Sequence, residues 1–97
     1  MATKKDYRDF ILEQISDLED IICRPMMGEY LLYYQGVLFG GLYDNRFLVK
    51  KTDDNAKFNL PEVIPYPHAK PMYQIEDVDD RELMKEVILT SWHNLKK

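Results

Sequence analysis

Two stretches of the chain repeat apolar residues every three to four positions, and the stretch between them gathers apolar residues into short runs broken by glycine, proline and Asx pairs. Near the start, Tyr7, Phe10, Ile11, Gln14, Ile15 and Leu18 fall on one stripe with Gln14 as its single polar member. That spacing predicts an amphipathic helix from about residue 4 to about residue 18. Thr3, followed three positions later by Asp6, has capping-box spacing with Asp in place of the usual Glu. Towards the other end Leu83, Met84, Val87, Ile88, Ser91, Trp92 and Leu95 repeat the helical spacing. Asp77, Asp79 and Asp80 offer caps for this second helix, and Lys96 and Lys97 stand near its negative end.

Strand signals lie between the helices. Residues 21–24 read as a short strand that Pro25 and Gly28 interrupt. Residues 29–34, 37–43 and 46–51 read as a three-strand meander closed by Gln35-Gly36 and Asp44-Asn45, residue pairs suited to positive φ. With two-residue turns, Tyr34 faces Val37, Leu32 faces Phe39, Tyr30 faces Gly41, Tyr43 faces Arg46 and Gly41 faces Leu48. One face then carries Leu31, Tyr33, Leu38, Gly40, Leu42, Phe47 and Val49, which reads as the core face, with Gly40 leaving room for a helix to approach. The other carries Tyr30, Leu32, Tyr34, Val37, Phe39, Tyr43 and Leu48 beside Arg46 and Lys50. Rings with polar tips among basic side chains are the composition of a contact surface.

A sheet that is apolar on both faces needs cover on both. The helices can cover one. The second is covered by residues 52–70 folding back, or left with its tyrosines lying flat and their hydroxyls in water, or covered by another protein, including a second copy of this chain. Within that middle stretch, Thr52-Asp53-Asp54-Asn55 resembles a helix start, and Ala56-Lys57-Phe58 has room for one short turn. Pro61, Pro65, Pro67 and Pro71 forbid long regular structure. Phe58, Leu60, Val63, Ile64 and Tyr66 are too apolar for a free linker and should pin the loop to the body. Residues 72–76 read as a last strand. The fold class expected is α+β: a two-layer sandwich with an antiparallel sheet, the three-strand meander plus one or two further strands, packed against N- and C-terminal helices.

Composition narrows the chemistry. At 97 residues and 45% hydrophobic content, the chain suits one domain over residues 1–97 with a thin core. Seventeen acidic against thirteen basic residues, a net charge of -4, disfavour direct nucleic-acid binding. No run of 18 apolar residues is present and no signal-peptide core follows Met1, so a cytoplasmic protein with no membrane partner is expected. Cys23, the single cysteine, sits in an apolar run where a packed thiol is the usual tenant. His68 and His93 have no Ser/His/Asp or Cys/His spacing around them and read as surface residues. The acidic cluster lacks the glycine and terminal glutamate of a calcium loop, and Gly40-Gly41 does not lead into a helix as a phosphate cradle would. Neither catalysis nor a cofactor is expected.

Arg24-Pro25-Met26-Met27-Gly28-Glu29-Tyr30-Leu31-Leu32-Tyr33-Tyr34 and Leu38-Phe39-Gly40-Gly41-Leu42-Tyr43-Asp44-Asn45-Arg46 carry a family likeness. So do Leu48-Val49-Lys50 and Ala69-Lys70-Pro71-Met72 ahead of residues 76–82. In order and spacing they resemble the N-terminal domain of the TfoX/Sxy family, bacterial regulators of competence, and most of all its short, stand-alone members. The resemblance implies a two-layer α+β domain similar to secretion-chaperone folds, and brings no catalytic residue, metal or cofactor. The longer regulators continue into a C-terminal domain with no counterpart in these 97 residues. The function expected is a non-enzymatic, regulatory protein-interaction module that contacts a partner or itself through Tyr30, Leu32, Tyr34, Val37, Phe39, Tyr43, Arg46 and Lys50. The alternative is a small-molecule or nucleic-acid binder using the same aromatic and basic face, with a cleft towards the loop around His68 and Lys70.

Overall fold

A computed structural model of the protein describes residues 2–96. Helix α1 spans Lys5–Gln14 and buries Ile11, with Ile15 and Leu18 buried in the turns that follow it. It ends earlier than the spacing predicts. Ser16 sends both its backbone N–H (3.2 Å) and its hydroxyl (2.8 Å) to the carbonyl of Glu13, a local bond that competes with helix continuation. Phe10, expected on the buried stripe, is 39% exposed. The expected capping box does not form: the cap position is Lys4, without a side-chain bond, and the Thr3 hydroxyl donates instead to Glu29 Oε1 at 2.6 Å.

Six strands follow: β1 (Ile21–Met26), β2 (Glu29–Tyr34), β3 (Val37–Leu42), β4 (Phe47–Val49), β5 (Glu62–Val63) and β6 (Met72–Ile75). They form one sheet in the order β1-β2-β3-β4-β6-β5 with every pairing antiparallel. The chain closes on α2 (Arg81–Leu95). This is the α+β sandwich expected, with a meander of four strands where three were predicted. The strand predicted over residues 21–24 runs on to Met26 and joins the meander because Met27-Gly28 is itself a two-residue turn, with φ of 50° and 87°, like Gln35-Gly36 (47° and 80°) and Asp44-Asn45 (52° and 57°). Pro25 therefore does not break β1. It lies inside an edge strand, where a missing N–H is tolerated, and it discourages the strand addition that an open edge would invite.

The register corrects the assignment of faces. Tyr34 does face Val37, and Gly41 does face Leu48, but the β2–β3 ladder shifts between Leu32 and Tyr33. Phe39 is the extra residue of a β-bulge. Beyond it Leu32 faces Gly40 instead of Phe39, and Tyr30 faces Leu42 instead of Gly41. One inserted residue exchanges every later side chain between faces. Tyr30, Leu42, Phe47 and Ile75 consequently form one row across four strands, and Cys23, Leu32, Gly40, Val49 and Tyr73 form the next. These rows face the helices. Phe39, Phe47, Leu32, Leu42 and Val49 are fully buried there with Ile11, Met84, Val87 and Ile88, each large side chain contributing roughly 1.5–3 kcal/mol. Gly40 is needed for close approach, though by a strand and not a helix: a Cβ there would meet the Leu48 carbonyl and lie 2.9 Å from Val49 Cα.

Helix α2 is capped as the sequence predicts, by Asp80 accepting from the Leu83 N–H at 3.0 Å. Lys97, expected with Lys96 near its negative end, lies outside the described residues. The middle stretch forms a single 3-10 turn at Asn55–Phe58. Asn55 is fully buried and fixes it: its amide donates to Lys50 O (2.8 Å) and Ser91 Oγ (2.9 Å), and its carbonyl oxygen accepts from the Thr52 N–H (2.8 Å). Phe58 and Leu60 pack against the core, as anchors should.

Candidate functional site

The outer face of the sheet is where chemistry is accessible. Its rows are Arg24, Leu31, Gly41, Leu48 and Gln74, then Ile22, Tyr33 and Leu38. The proline-rich loop covers only part of it. Leu48 is fully buried and Tyr43 nearly so, with Pro65 buried beside them, whereas Leu31, Tyr33 and Leu38 are half-buried and Ile22 is 49% exposed. The half over β1, β2 and the start of β3 is thus uncovered and apolar. Met27, at the tip of the β1–β2 turn, is 98% exposed.

The loop is built to stay in place. Tyr66, Pro67, His68 and Ala69 make a turn in which the Ala69 N–H donates to Tyr66 O at 3.1 Å, with Pro67 fixing one central φ and His68 adopting φ 71°. Arg46 ties the loop to the β3–β4 hairpin by donating to Tyr43 O (3.1 Å) and Pro65 O (3.3 Å). The Tyr43 ring folds over Gly41, where a Cβ would come within 2.9 Å of it, and meets the Tyr66 ring at a centroid distance of 6.2 Å. Burial pushes the Tyr43 phenol above its ordinary pKa, with Tyr66 and Glu29 adding to the shift.

Between this loop and the sheet runs a groove of about 740 Å3. Leu31, Leu38, Met26 and Met72 line it with Tyr43, Pro65 and Pro71, and Lys50, Lys51 and Lys70 complete it. No carboxylate contributes to its lining. Lys51 is engaged, 2.7 Å from Glu62 Oε1, and that bond pushes its pKa up.

At the opposite end of the sheet the N-terminal residues strap two hairpin tips together. The Thr3 N–H donates to Gly28 O (2.9 Å), and the Lys4 N–H donates to Asn45 Oδ1 (2.9 Å). Glu29 accepts from Thr3 Oγ1 and from the Asp44 N–H at 3.1 Å. The Arg24-to-Tyr30 motif thereby acquires a structural reading. Arg24 lies 5.8 Å from the Tyr33 ring centroid on the outer face, Met27-Gly28 makes the turn, Glu29 is the staple and Tyr30 enters the core.

The eight residues expected to form a contact surface are not brought together. Tyr30, Leu32, Tyr34 and Phe39 are in the helix-covered core, because the helices cover the face that carries these rings, and the bulge after Leu38 brings Leu42, Phe47 and Val49 onto that same face. Val37 is half-buried opposite Tyr34. Tyr43 lies beneath the loop, Arg46 is half-buried as a loop tie, and Lys50 alone stands exposed at the groove. Residues absent from that set, Ile22, Leu31, Tyr33, Leu38 and Met72, form the accessible face instead. Their alternation with buried neighbours was visible in the sequence, but not which phase faced out.

His68 and His93 are exposed, in keeping with surface residues. Cys23 is half-buried against the core, and burial raises its thiol pKa above the ordinary value while Arg8 pulls it down. A thiol so held stays protonated at neutral pH. Among the described residues no group of three or more His, Cys, Asp or Glu is placed to hold a metal ion, and no helix is long and apolar enough to cross a membrane.

Fold and site together define a small α+β protein with one sheet face sealed by helices and the other half-covered by a pinned loop. No family model matches the chain. It is similar to the uncharacterized 12.7 kDa protein in the trpE 5′ region of Spirochaeta aurantia, at 39% identity over 80 residues, spanning 80% of this chain and 70% of that protein. The chain belongs to the same family as that protein.

Proposed function

We propose that this protein is a non-enzymatic interaction module whose contact surface is the uncovered half of the outer sheet face. The observation that carries this reading is that Ile22, 49% exposed, and the half-buried Leu31, Tyr33 and Leu38 lie on adjacent rows of the outer face, with the 98% exposed Met27 at the tip of the neighbouring turn. Apolar strips of this kind mark docking sites. The occupant is an apolar segment of a partner protein flanked by acidic residues, since Arg24 lies on the strip and Lys50 borders it. The resemblance to the N-terminal domain of the TfoX/Sxy family supports a regulatory role for that contact.

Capture from the source cells with wild-type, Tyr33→Glu and Leu38→Glu baits, followed by titration of any captured protein in purified form, tests the reading. A partner bound by the wild type and lost from both folded variants is expected. A partner bound equally by all three, or a wild type that pairs only with itself, would overturn it.

A further inference from the structure

Between the loop and the outer face lies a second feature, which shares Leu31 and Leu38 with the proposed strip but not Ile22 or Tyr33. The groove has an apolar floor, a volume within the range of small-ligand sites, and basic groups at one end. The topology shows which end. Lys50 directly follows β4 and Lys70 precedes β6 by two residues, and the end of β4 pairs with the start of β6 through Val49 and Tyr73. Both lysines therefore stand at the same end of the sheet. Lys51 beside them is already taken by Glu62, while among the described residues neither Lys50 nor Lys70 has a carboxylate within ion-pair distance. At the far end, Glu29 faces Met26 across the strands and acts on Tyr43, and is itself bonded to Thr3 and Asp44. The groove is thus polarised along its length: cationic at the Lys50 end, apolar through the middle, and nearest a carboxylate at the other. In a chain of net charge -4, an acid-free lining with two unpaired lysines is a local reversal.

The geometry points to a binding site for a free amphiphilic monoanion, a carboxylate carried on an apolar tail. The head group sits between Lys50 and Lys70, and the tail lies along Leu38, Leu31, Met72 and Met26. Two methionines in the lining can repack around tails of different shape. Charge sets the orientation, and burial of the tail supplies most of the attraction.

Decanoate, used well below the concentration at which it forms micelles, is the probe, with decanol as its uncharged counterpart. Backbone amide NMR titration of the wild-type chain is expected to show saturable one-to-one binding of decanoate, with shifts centred on Leu38, Lys50, Lys70 and Met72. Decanol should bind at least tenfold more weakly. A Lys50→Gln/Lys70→Gln double variant should lose at least tenfold in decanoate affinity while its decanol affinity stays unchanged. Failure of decanoate to saturate, equal affinity in the double variant, or shifts confined to Ile22 and Tyr33 would each overturn the assignment. So would binding to vesicles of anionic phospholipid without saturation by decanoate, which would make the lysines a membrane contact. Loss of partner capture in the Tyr33→Glu variant with decanoate binding retained would separate this site from the docking strip.

Discussion

Leu38 and Phe39 are neighbours in β3, yet one is only partly buried on the outer face and the other fully buried beneath the helices. The same contrast runs through the whole sheet. The inner face is a continuous set of rows sealed by α1 and α2, in which every large side chain has partners on several sides. The outer face is sealed only where the loop reaches, over Leu48 and Tyr43, and is open over Ile22, Tyr33 and Leu38. The two faces have similar hydrophobicity along the chain, so hydrophobicity alone does not distinguish core from surface here. What distinguishes them is which set the helices cover, and the bulge at Phe39 fixes how β3 and β4 join that set.

The largest effect separating the faces is expected from truncation of one ring on each. Phe47→Ala should cost about 3–5 kcal/mol, the usual penalty for emptying an aromatic site in a packed core. Tyr33→Ala should cost less, about 1 kcal/mol, since its ring is only partly buried on the outer face. Chemical denaturation of both variants checks the pair. Next in size is the anchor of the middle stretch. Asn55→Ala leaves the Thr52 N–H and the Lys50 carbonyl without their partner, at a cost of about 1–3 kcal/mol. Fast hydrogen exchange should then appear at the Asn55–Phe58 turn while the sheet stays protected.

The difference between what could and could not be read from sequence follows the same division. Helix α2 and its Asp80 cap, the Glu29–Tyr34 strand and the turns at Gln35-Gly36 and Asp44-Asn45 are all local, and periodicity and turn chemistry specify them. The β-bulge is not local. Nothing in Leu38-Phe39-Gly40-Gly41 marks where an extra residue enters, although each glycine position does signal a crowded backbone. A Cβ on Gly40 or Gly41 would strike the carbonyl of the adjacent strand, Leu48 in one case and Tyr30 in the other. The one-residue shift in register puts Leu42, Phe47 and Val49, rightly expected in the core, on the same face as Tyr30, Leu32, Tyr34 and Phe39, and Leu31, Tyr33 and Leu38 on the other, which removes the candidate surface. Of the expected surface residues, Lys50 remains at an accessible site because it lies beyond the strand, where the alternation no longer decides its position.

Smaller effects refine the outer face. Met27 holds φ 50° with its side chain 98% exposed, a conformation Asn adopts more readily. Met27→Asn should stabilise the fold by roughly 0.5–1 kcal/mol, and if the strip docks a partner the same change should weaken binding. A thermal melt paired with a binding titration reads both. The smallest effect at neutral pH concerns Tyr43. Burial raises its pKa above 10.0 in the folded state, so the folded protein holds the phenolic proton more tightly than the unfolded chain. Its contribution is fully present below the unfolded value and is lost as pH rises through the folded one. Stability of the wild type should therefore fall above about pH 10. Tyr43→Phe should flatten part of that fall, with Tyr7 and Cys23, which burial also raises, contributing to the rest.

The most direct test of the account is a pair of adjacent substitutions, Leu38→Asp and Phe39→Asp, followed by thermal unfolding and NMR. With Phe39 buried under the helices and Leu38 on the outer face, Phe39→Asp should abolish the folded state and Leu38→Asp should leave a cooperative transition and a dispersed spectrum. The reverse outcome, a folded Phe39→Asp protein and an unfolded Leu38→Asp protein, would contradict the register on which the open face, the groove and the proposed contact surface all rest.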